Sequence, residues 1–278
     1  MGARTVARDD RVRYCCGVAL RSLQLEQATM AFGDEGAGDP VLLLHGFPCT
    51  RALWNGVAPG LVAAGHRVLT PDLAGYGASS GPSDMSAQAD HLLLLCDALG
   101  LDRVALVAHD IGSAAAQIFT AREPRRVKKL VVIDGVHEGE WAMEAIGSIR
   151  DWPQADAARL FKVLVRRVRT SATQGRISDA VAREVLAPYQ GEAGGAWLIA
   201  AARSLDPRQT AGLSGALHQS GVPALVLWGE RDTYLSPETV GRPLAALLRA
   251  PFVLLPSGHF LPLECPSGLV EELCRFLG

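Results

Sequence analysis

No apolar run in the sequence approaches the roughly 20 residues that a membrane-crossing helix needs. The longest, such as Leu92–Leu95, are fragments of core elements. A surplus of one charge is also missing. With 27 Lys+Arg against 29 Asp+Glu the formal net charge is -2, which gives no electrostatic reason to expect nucleic acid or an anionic membrane as partner. The cysteines (15, 16, 49, 96, 265 and 274) form no CxxC pair and no disulfide-framework spacing. Reduced thiols in a cytoplasmic protein are therefore expected, with no metal site. In the first 21 residues the short apolar stretch Tyr14–Leu20 follows Asp9 and Asp10 and precedes no cleavage-type sequence. Residues 1–21 are thus read as a poorly ordered extension rather than a secretory signal. Tyrosine is scarce as well, with only four in the chain.

Apolar residues make up 49% and charged residues 20% of the chain, a balance that fills a globular core. Short continuous apolar runs recur at Val41–Leu44, Arg67–Thr70, Arg103–Ala108, Leu130–Ile133, Ala224–Trp228 and Phe252–Leu255. Runs of this kind suit strands buried on both faces of a parallel sheet. Helical patterns lie between them at Ala52–Ala64, Met85–Leu99, Ser113–Thr120, Pro237–Leu248 and Leu269–Phe276, and two further strands open the chain near Ser22–Glu26 and Thr29–Gly33. The alternation predicts an α/β protein built on a mostly parallel, doubly wound sheet.

One interval breaks the pattern. From Val136 to Leu213 no buried strand is visible, only helical patterns near Trp141–Arg150, Asp156–Arg169, Ser178–Leu186 and Ala196–Ser204, punctuated by Pro153, Pro188 and Gly191–Gly195. The expected organisation is a core of residues 22–135 and 214–278, with residues 136–213 inserted as a helical cap.

The chemistry gathers at the strand ends. In open α/β sheets the reactive loops follow the carboxyl ends of strands, and these ends here carry His45-Gly46-Phe47-Pro48, Asp72, Asp110, Asp134, Asp232 and His259. Asp110 sits where a buried run turns into a small-residue helix start. Ala108 and Gly112 flank it at two residues on either side, as a sharp strand-to-helix turn requires. The following helix start also favours a carboxylate through its free N–H groups.

These motifs resemble the α/β-hydrolases. His45-Gly46-Phe47-Pro48 is similar to their oxyanion loop, and Asp72–Ser79 to their DxxGxGxS loop. His109-Asp110-Ile111-Gly112 resembles the nucleophile elbow, and Trp228–Asp232 and Gly258-His259-Phe260 the acid and histidine turns. An aspartate at the elbow resembles the branch that holds epoxide hydrolases and haloalkane dehalogenases. The resemblance implies a cofactor-independent hydrolase in which Asp110 attacks alkyl carbon and forms an ester. His259 then activates water, oriented by Asp232, while the Phe47 and Ile111 backbone N–H groups hold the oxyanion. Asp134 is the alternative acid, since some relatives place that residue after the earlier strand. Asp72 is read as a loop organiser, and His109 as structural.

Two leaving groups then compete. A departing halide needs side-chain N–H donors, usual at the positions of Phe47 and Ile111, and neither side chain has one. An epoxide needs an acid for its ring oxygen, usually a pair of cap tyrosines. Tyr189 is the one tyrosine of the expected cap, so it is the first candidate, with His137 or Tyr234 as a second donor. Trp141, Trp152 and Trp197 are expected to roof an apolar pocket, and Arg166, Arg167 and Arg169 to form a solvated helix face. The expectation is an epoxide hydrolase acting on a small apolar epoxide, with a homodimer left open. The alternatives are a haloalkane dehalogenase and, in another class, a non-hydrolytic binding or isomerase/cyclase scaffold.

Overall fold

The computed structural model describes residues 6–13 and 19–278; Cys15 and Cys16 lie outside them. Among the described residues, nine strands form one sheet: β1 (Val6–Arg13), β2 (Ala19–Gln24), β3 (Thr29–Glu35), β4 (Pro40–Leu44), β5 (Arg67–Pro71), β6 (Val104–His109), β7 (Val127–Ile133), β8 (Ala224–Gly229) and β9 (Phe252–Leu255), in the order β1-β2-β3-β5-β4-β6-β7-β8-β9. The first three strands pair antiparallel and β3 meets β5 antiparallel. From β5 to β9 every pair is parallel. The central strands are apolar on both faces because helices cover both. Leu42, Leu43, Leu44, Val107 and Val132 are completely buried, and trimming one such leucine to alanine costs about 2–5 kcal/mol.

The helices are α1 (Ala58–Ala63), α2 (Met85–Ala98), α3 (Ile111–Arg122), α4 (Met143–Arg150), α5 (Ala157–Arg167), α6 (Asp179–Val185), α7 (Gly191–Ser204), α8 (Ser214–Ser220), α9 (Arg242–Leu248), α10 (Leu261–Glu264) and α11 (Pro266–Leu277). α4 to α7 all fall between β7 and β8 and contribute no strand. Among the described residues no helix is long and apolar enough to cross a membrane.

Three expectations need correction. Residues 6–13, expected in a poorly ordered extension, form β1 on the edge of the sheet, and β2 starts at Ala19 rather than Ser22. The polar, arginine-rich β1 carries no apolar pattern, so only its pairing with β2 defines it. The run Gly191–Gly195, expected as a break, begins α7. Its glycines serve close packing: a Cβ on Gly195 would lie 2.1 Å from the Ala157 carbonyl oxygen, and one on Gly194 2.5 Å from that of Pro188. The third concerns α5, which continues beyond Arg167 as a wider π-helical turn, Val168–Ala172, a local widening common at functional sites.

Register fixes where the loops emerge. Leu44 stands opposite Ala108, His109 opposite Ile133, Ile133 opposite Leu227, and Gly229 opposite Leu255. The segments that follow all leave the same edge, beside the β5-β4-β6 crossover where the strand order reverses. Such a switch point opens a crevice.

Candidate active site

Asp110 occupies the turn between β6 and α3 with φ 50° and ψ -125°, a region that ordinary side chains avoid and that costs about 1–3 kcal/mol. The bend needs close backbone approach. A Cβ on Gly112 would lie 2.5 Å from the His45 carbonyl oxygen, and one on Gly46 2.5 Å from the Asp110 Cβ. Both positions therefore require glycine. The strain projects the carboxylate off the sheet edge, where Oδ1 accepts the Phe47 backbone N–H at 2.7 Å. The Ile111 N–H also bonds to the same carboxylate.

Two further loops complete the line. His259 faces Asp110 Oδ2 through Nε2 at 3.6 Å, and its Nδ1 donates to Asp232 Oδ2 at 2.9 Å. The other Asp232 oxygen accepts the backbone N–H groups of Tyr234 (2.8 Å) and Leu235 (3.0 Å), so this carboxylate is locked before it meets the ring. Burial works to raise the Asp110 pKa, but the His259 and His109 rings and the Ile111 N–H outweigh it and hold the carboxyl below its ordinary value. Burial likewise opposes charge on His259. The carboxylates of Asp232 and Asp110 on its two nitrogens win, and its pKa stands well above 6.5.

Asp134 does not reach the His259 ring nitrogens. Its Oδ1 accepts the Gly229 N–H at 2.6 Å, and its Oδ2 lies 4.0 Å from His109 Nε2. Burial and the neighbouring Asp232 charge raise its pKa well above the ordinary 3.8. His109, beside it, donates from Nε2 to the His259 carbonyl at 2.8 Å. Burial and the His259 charge push its pKa down to about 4, so it is a neutral strut.

The remaining loops are held by their own side chains. Asp72 accepts the backbone N–H groups of Arg51 (2.8 Å) and Ala78 (2.9 Å). His45 takes the Leu73 N–H on Nε2 at 3.0 Å and donates from Nδ1 to the Gly46 carbonyl at 3.0 Å. The histidine turn has a brace that sequence reasoning missed. Glu264, in α10, accepts the Gly258 N–H at 2.8 Å, and the His259 N–H donates to the Ala172 carbonyl at 3.2 Å. Glu264 follows His259 by only five positions, and no pattern marks it as more than a helix residue.

A narrow cavity of about 50 Å³ opens over Asp110 and His259. At about 10–15 Å³ for each water, that is room for about four. Its sheet-side wall is Phe47, Pro48, Asp110, Tyr234, His259 and Phe260. The opposite wall comes from α4, α5 and their flanks, with Ile146, Ile149, Leu164 and Arg167 among it. Outside lies a wider recess of about 450 Å³ that shares Ala142, Ala145, Arg167 and Tyr234 with the cavity. Among the described residues no group of three or more His, Cys, Asp or Glu side chains is placed to hold a metal ion.

Residues 39–266 match the family model described as alpha/beta hydrolase fold. The chain belongs to that family. Over 273 residues it is 28% identical to a haloalkane dehalogenase of Mesorhizobium japonicum, an alignment covering 90% of this chain and 88% of that protein. Over 107 residues it is 41% identical to epoxide hydrolase 2 of Siraitia grosvenorii, a stretch of 37% of this chain and 34% of that protein. The crystal structure of haloalkane dehalogenase DbeA from Bradyrhizobium elkani superposes with a TM-score of 0.80 at 24% identity, covering 94% of this chain and 97% of that one. That last likeness shows the fold alone. Within that family the chain is similar to both haloalkane dehalogenases and epoxide hydrolases, and the matches do not choose between those activities.

Within this alpha/beta hydrolase the cap residues expected from sequence stand elsewhere than expected. Tyr189 is fully buried and its hydroxyl donates to the Cys49 carbonyl at 3.3 Å, so it packs α6 and α7 onto the core and does not line the cavity. His137 bridges to Glu140 through its backbone, also away from the cavity lining. Trp141 lines the outer recess and donates its indole N–H to Thr210 Oγ1 at 2.9 Å, and Trp152 donates to the Asp156 carbonyl at 3.1 Å. Trp197, half-buried on α7, lines neither space. Tyr234 and Arg167 stand at the cavity instead. The Tyr234 ring meets His259 edge-on with centroids 5.2 Å apart. Its place two residues after Asp232 was the available sequence signal. Arg167 had none, since one face of α5 is a run of exposed charge.

Proposed function

We propose that this alpha/beta hydrolase opens an epoxide to a vicinal diol through an Asp110 ester, with residues 136–213 acting as the cap over the site. The observation that carries the reading is Tyr234: the residue lines the same small cavity as Asp110, its ring meets His259, and among the described residues its hydroxyl has no hydrogen-bond partner. Its pKa is raised by burial, so it stays protonated and available as an acid. The missing indole supports the same choice. Among the described residues no tryptophan lines the cavity, which leaves a departing halide without an indole N–H donor beside Asp110.

The steps follow from the charges. Asp110 Oδ1 is held by the Phe47 N–H and Oδ2 faces His259, so Oδ2 is the attacking atom. It bonds to a ring carbon, the carbon–oxygen bond of the ring breaks, and the alkoxide takes the Tyr234 proton. Ester formation removes one of the two negative charges that hold the proton on His259. That proton restores the phenol, and His259 Nε2 becomes a free base. It then takes a proton from water as the water attacks the ester carbonyl carbon. Oδ1 becomes the oxyanion, facing the Phe47 and Ile111 N–H groups, a contribution of about 3 kcal/mol from each such donor. Collapse expels the ester oxygen as an alkoxide that takes the proton from His259. His259 takes the proton left on the water oxygen, and the diol leaves an Asp110 carboxylate that carries the oxygen of water.

The test is to trap the ester. A His259→Gln variant incubated with panels of epoxides and haloalkanes is expected to add the mass of an epoxide to the peptide containing Asp110. An adduct only from haloalkanes, with halide released, replaces the reading by dehalogenation. A folded variant with Asp110 unmodified across both panels removes the covalent reading altogether.

A further inference from the structure

The steps above use the sheet-side wall of the cavity and leave a cation on the opposite wall without a task. Arg167 ends α5, is half-buried, and lines both the narrow cavity and the outer recess. It is the one arginine or lysine side chain in either lining. Other arginines of α4, α5 and α6 have carboxylates: Arg150 pairs with Asp151, Arg159 with Asp156 and Arg183 with Asp179. Among the described residues Arg167 has no such ion pair, and its Nη1 donates to the Ser148 hydroxyl at 2.6 Å. Its side chain shares the cavity lining with the apolar Ile146, Ile149 and Leu164, so an anion reaching the cavity mouth finds no competing carboxylate on that wall. The position of Arg167 is also fixed relative to the chemistry. The π-helical turn that follows it delivers the Ala172 carbonyl to the His259 N–H.

We propose that Arg167 docks an anion, and that the substrate is a short epoxide bearing a carboxylate at the end remote from the ring. The proposal rests on the reading that the reacting carbon lies at Asp110. The dimensions suit such a molecule. A cavity with room for about four waters takes the ring and little more, while the carboxylate lies at the junction with the recess, where a guanidinium offers two parallel N–H donors. Glu144 lines the recess but not the cavity, so it discriminates against a second carboxylate further out.

The experiment compares wild type, Arg167→Met and Arg167→Lys on a short terminal-epoxide carboxylate and the epoxide alcohol of the same length. The ratio of kcat/KM, carboxylate over alcohol, is expected to fall about 10–100-fold in Arg167→Met, mainly through KM, the range a charge-assisted hydrogen bond supplies. Arg167→Lys is expected to recover part of it. A second arm titrates butyrate, with butyramide as the neutral control, into wild type and both variants by calorimetry. Butyrate binding that weakens at least about tenfold in Arg167→Met supports the anion site even where no epoxide is turned over, in which case the reaction reading fails and the docking stands. An unchanged ratio, an equal loss on both epoxides, or butyrate binding indifferent to Arg167 overturns the docking while leaving the epoxide reaction intact.

Discussion

The two walls of the cavity are built on different principles. The sheet-side wall hangs its reactive groups on loops whose backbone is fixed by parallel strands in register, with Asp110, Asp232 and His259 each buried and tied by hydrogen bonds. The helical wall is aliphatic, held by packing, and carries one cation. Chemistry needs groups held to within a fraction of an ångström, which strand ends and backbone N–H donors supply. Selection needs only shape and one charge, and helices can change these without disturbing the reacting atoms.

The sharpest way to break this division is at the nucleophile. Asp110→Asn replaces the attacking oxyanion with an amide, and turnover is expected to fall by about 10⁴-fold or more, the scale on which nucleophile losses register. A residual rate near wild type would take the chemistry off the sheet-side wall.

Next comes the ring-opening acid, for which Tyr234 at the cavity and the buried Tyr189 are the rival tyrosines. Tyr234→Phe is expected to slow alkylation by an epoxide about 10²–10⁴-fold, while Tyr189→Phe changes the rate little. The Tyr189 variant leaves the buried Cys49 carbonyl without its donor, at about 1–3 kcal/mol of stability. Stopped-flow alkylation rates and chemical denaturation of both variants check the pair, and a reversed order would move the acid to Tyr189.

On the helical wall itself, Leu164→Ala is expected to cost about 2–5 kcal/mol of stability and to raise KM more than it lowers kcat. Thermal unfolding and steady-state rates measure the two parts. A loss confined to kcat would show that this wall positions the reacting groups as well.

The smallest expected effect separates the two buried acids. The raised pKa of Asp134 means that the folded protein holds a proton the unfolded chain releases above about 3.9. Stability is therefore lost as pH rises from the unfolded value through the higher folded one. Asp134→Asn keeps a neutral amide in that place and is expected to flatten this decline, with activity within a few-fold of wild type. His259 has the same sign with respect to pH. Its folded pKa lies above 6.5, so its contribution is complete below about 6.5 and is lost as pH rises through the folded value. Denaturation midpoints across pH, with rates of Asp134→Asn against Asp232→Asn, test both statements. Equal loss of activity in the two variants would make Asp134 the working acid.

Much of this was legible in the sequence, for definite reasons. Buried parallel strands must be apolar on both faces, so Val41–Leu44 and Ala224–Trp228 announced themselves, and their order placed Asp110, Asp232 and His259 on one edge. The elbow was readable because Gly112 is the residue a backbone approach of 2.5 Å permits. Other features depend on partners distant in the chain. Gly194 and Gly195 read as a loop until Ala157 and Pro188 lie against them. Tyr189 read as an acid until the Cys49 carbonyl took its hydroxyl. β1 has no apolar pattern, and its strand exists through β2.

By itself, then, the sequence determined the sheet and the placing of Asp110, Asp232 and His259 at its carboxyl edge, because strand burial and tight turns impose residue types at short range. Only the tertiary structure decided which tyrosine meets the cavity and which arginine turns inward. Those outcomes depend on how helices dock across a long insertion, where a side chain's role is set by the surface it meets rather than by its neighbours in the chain.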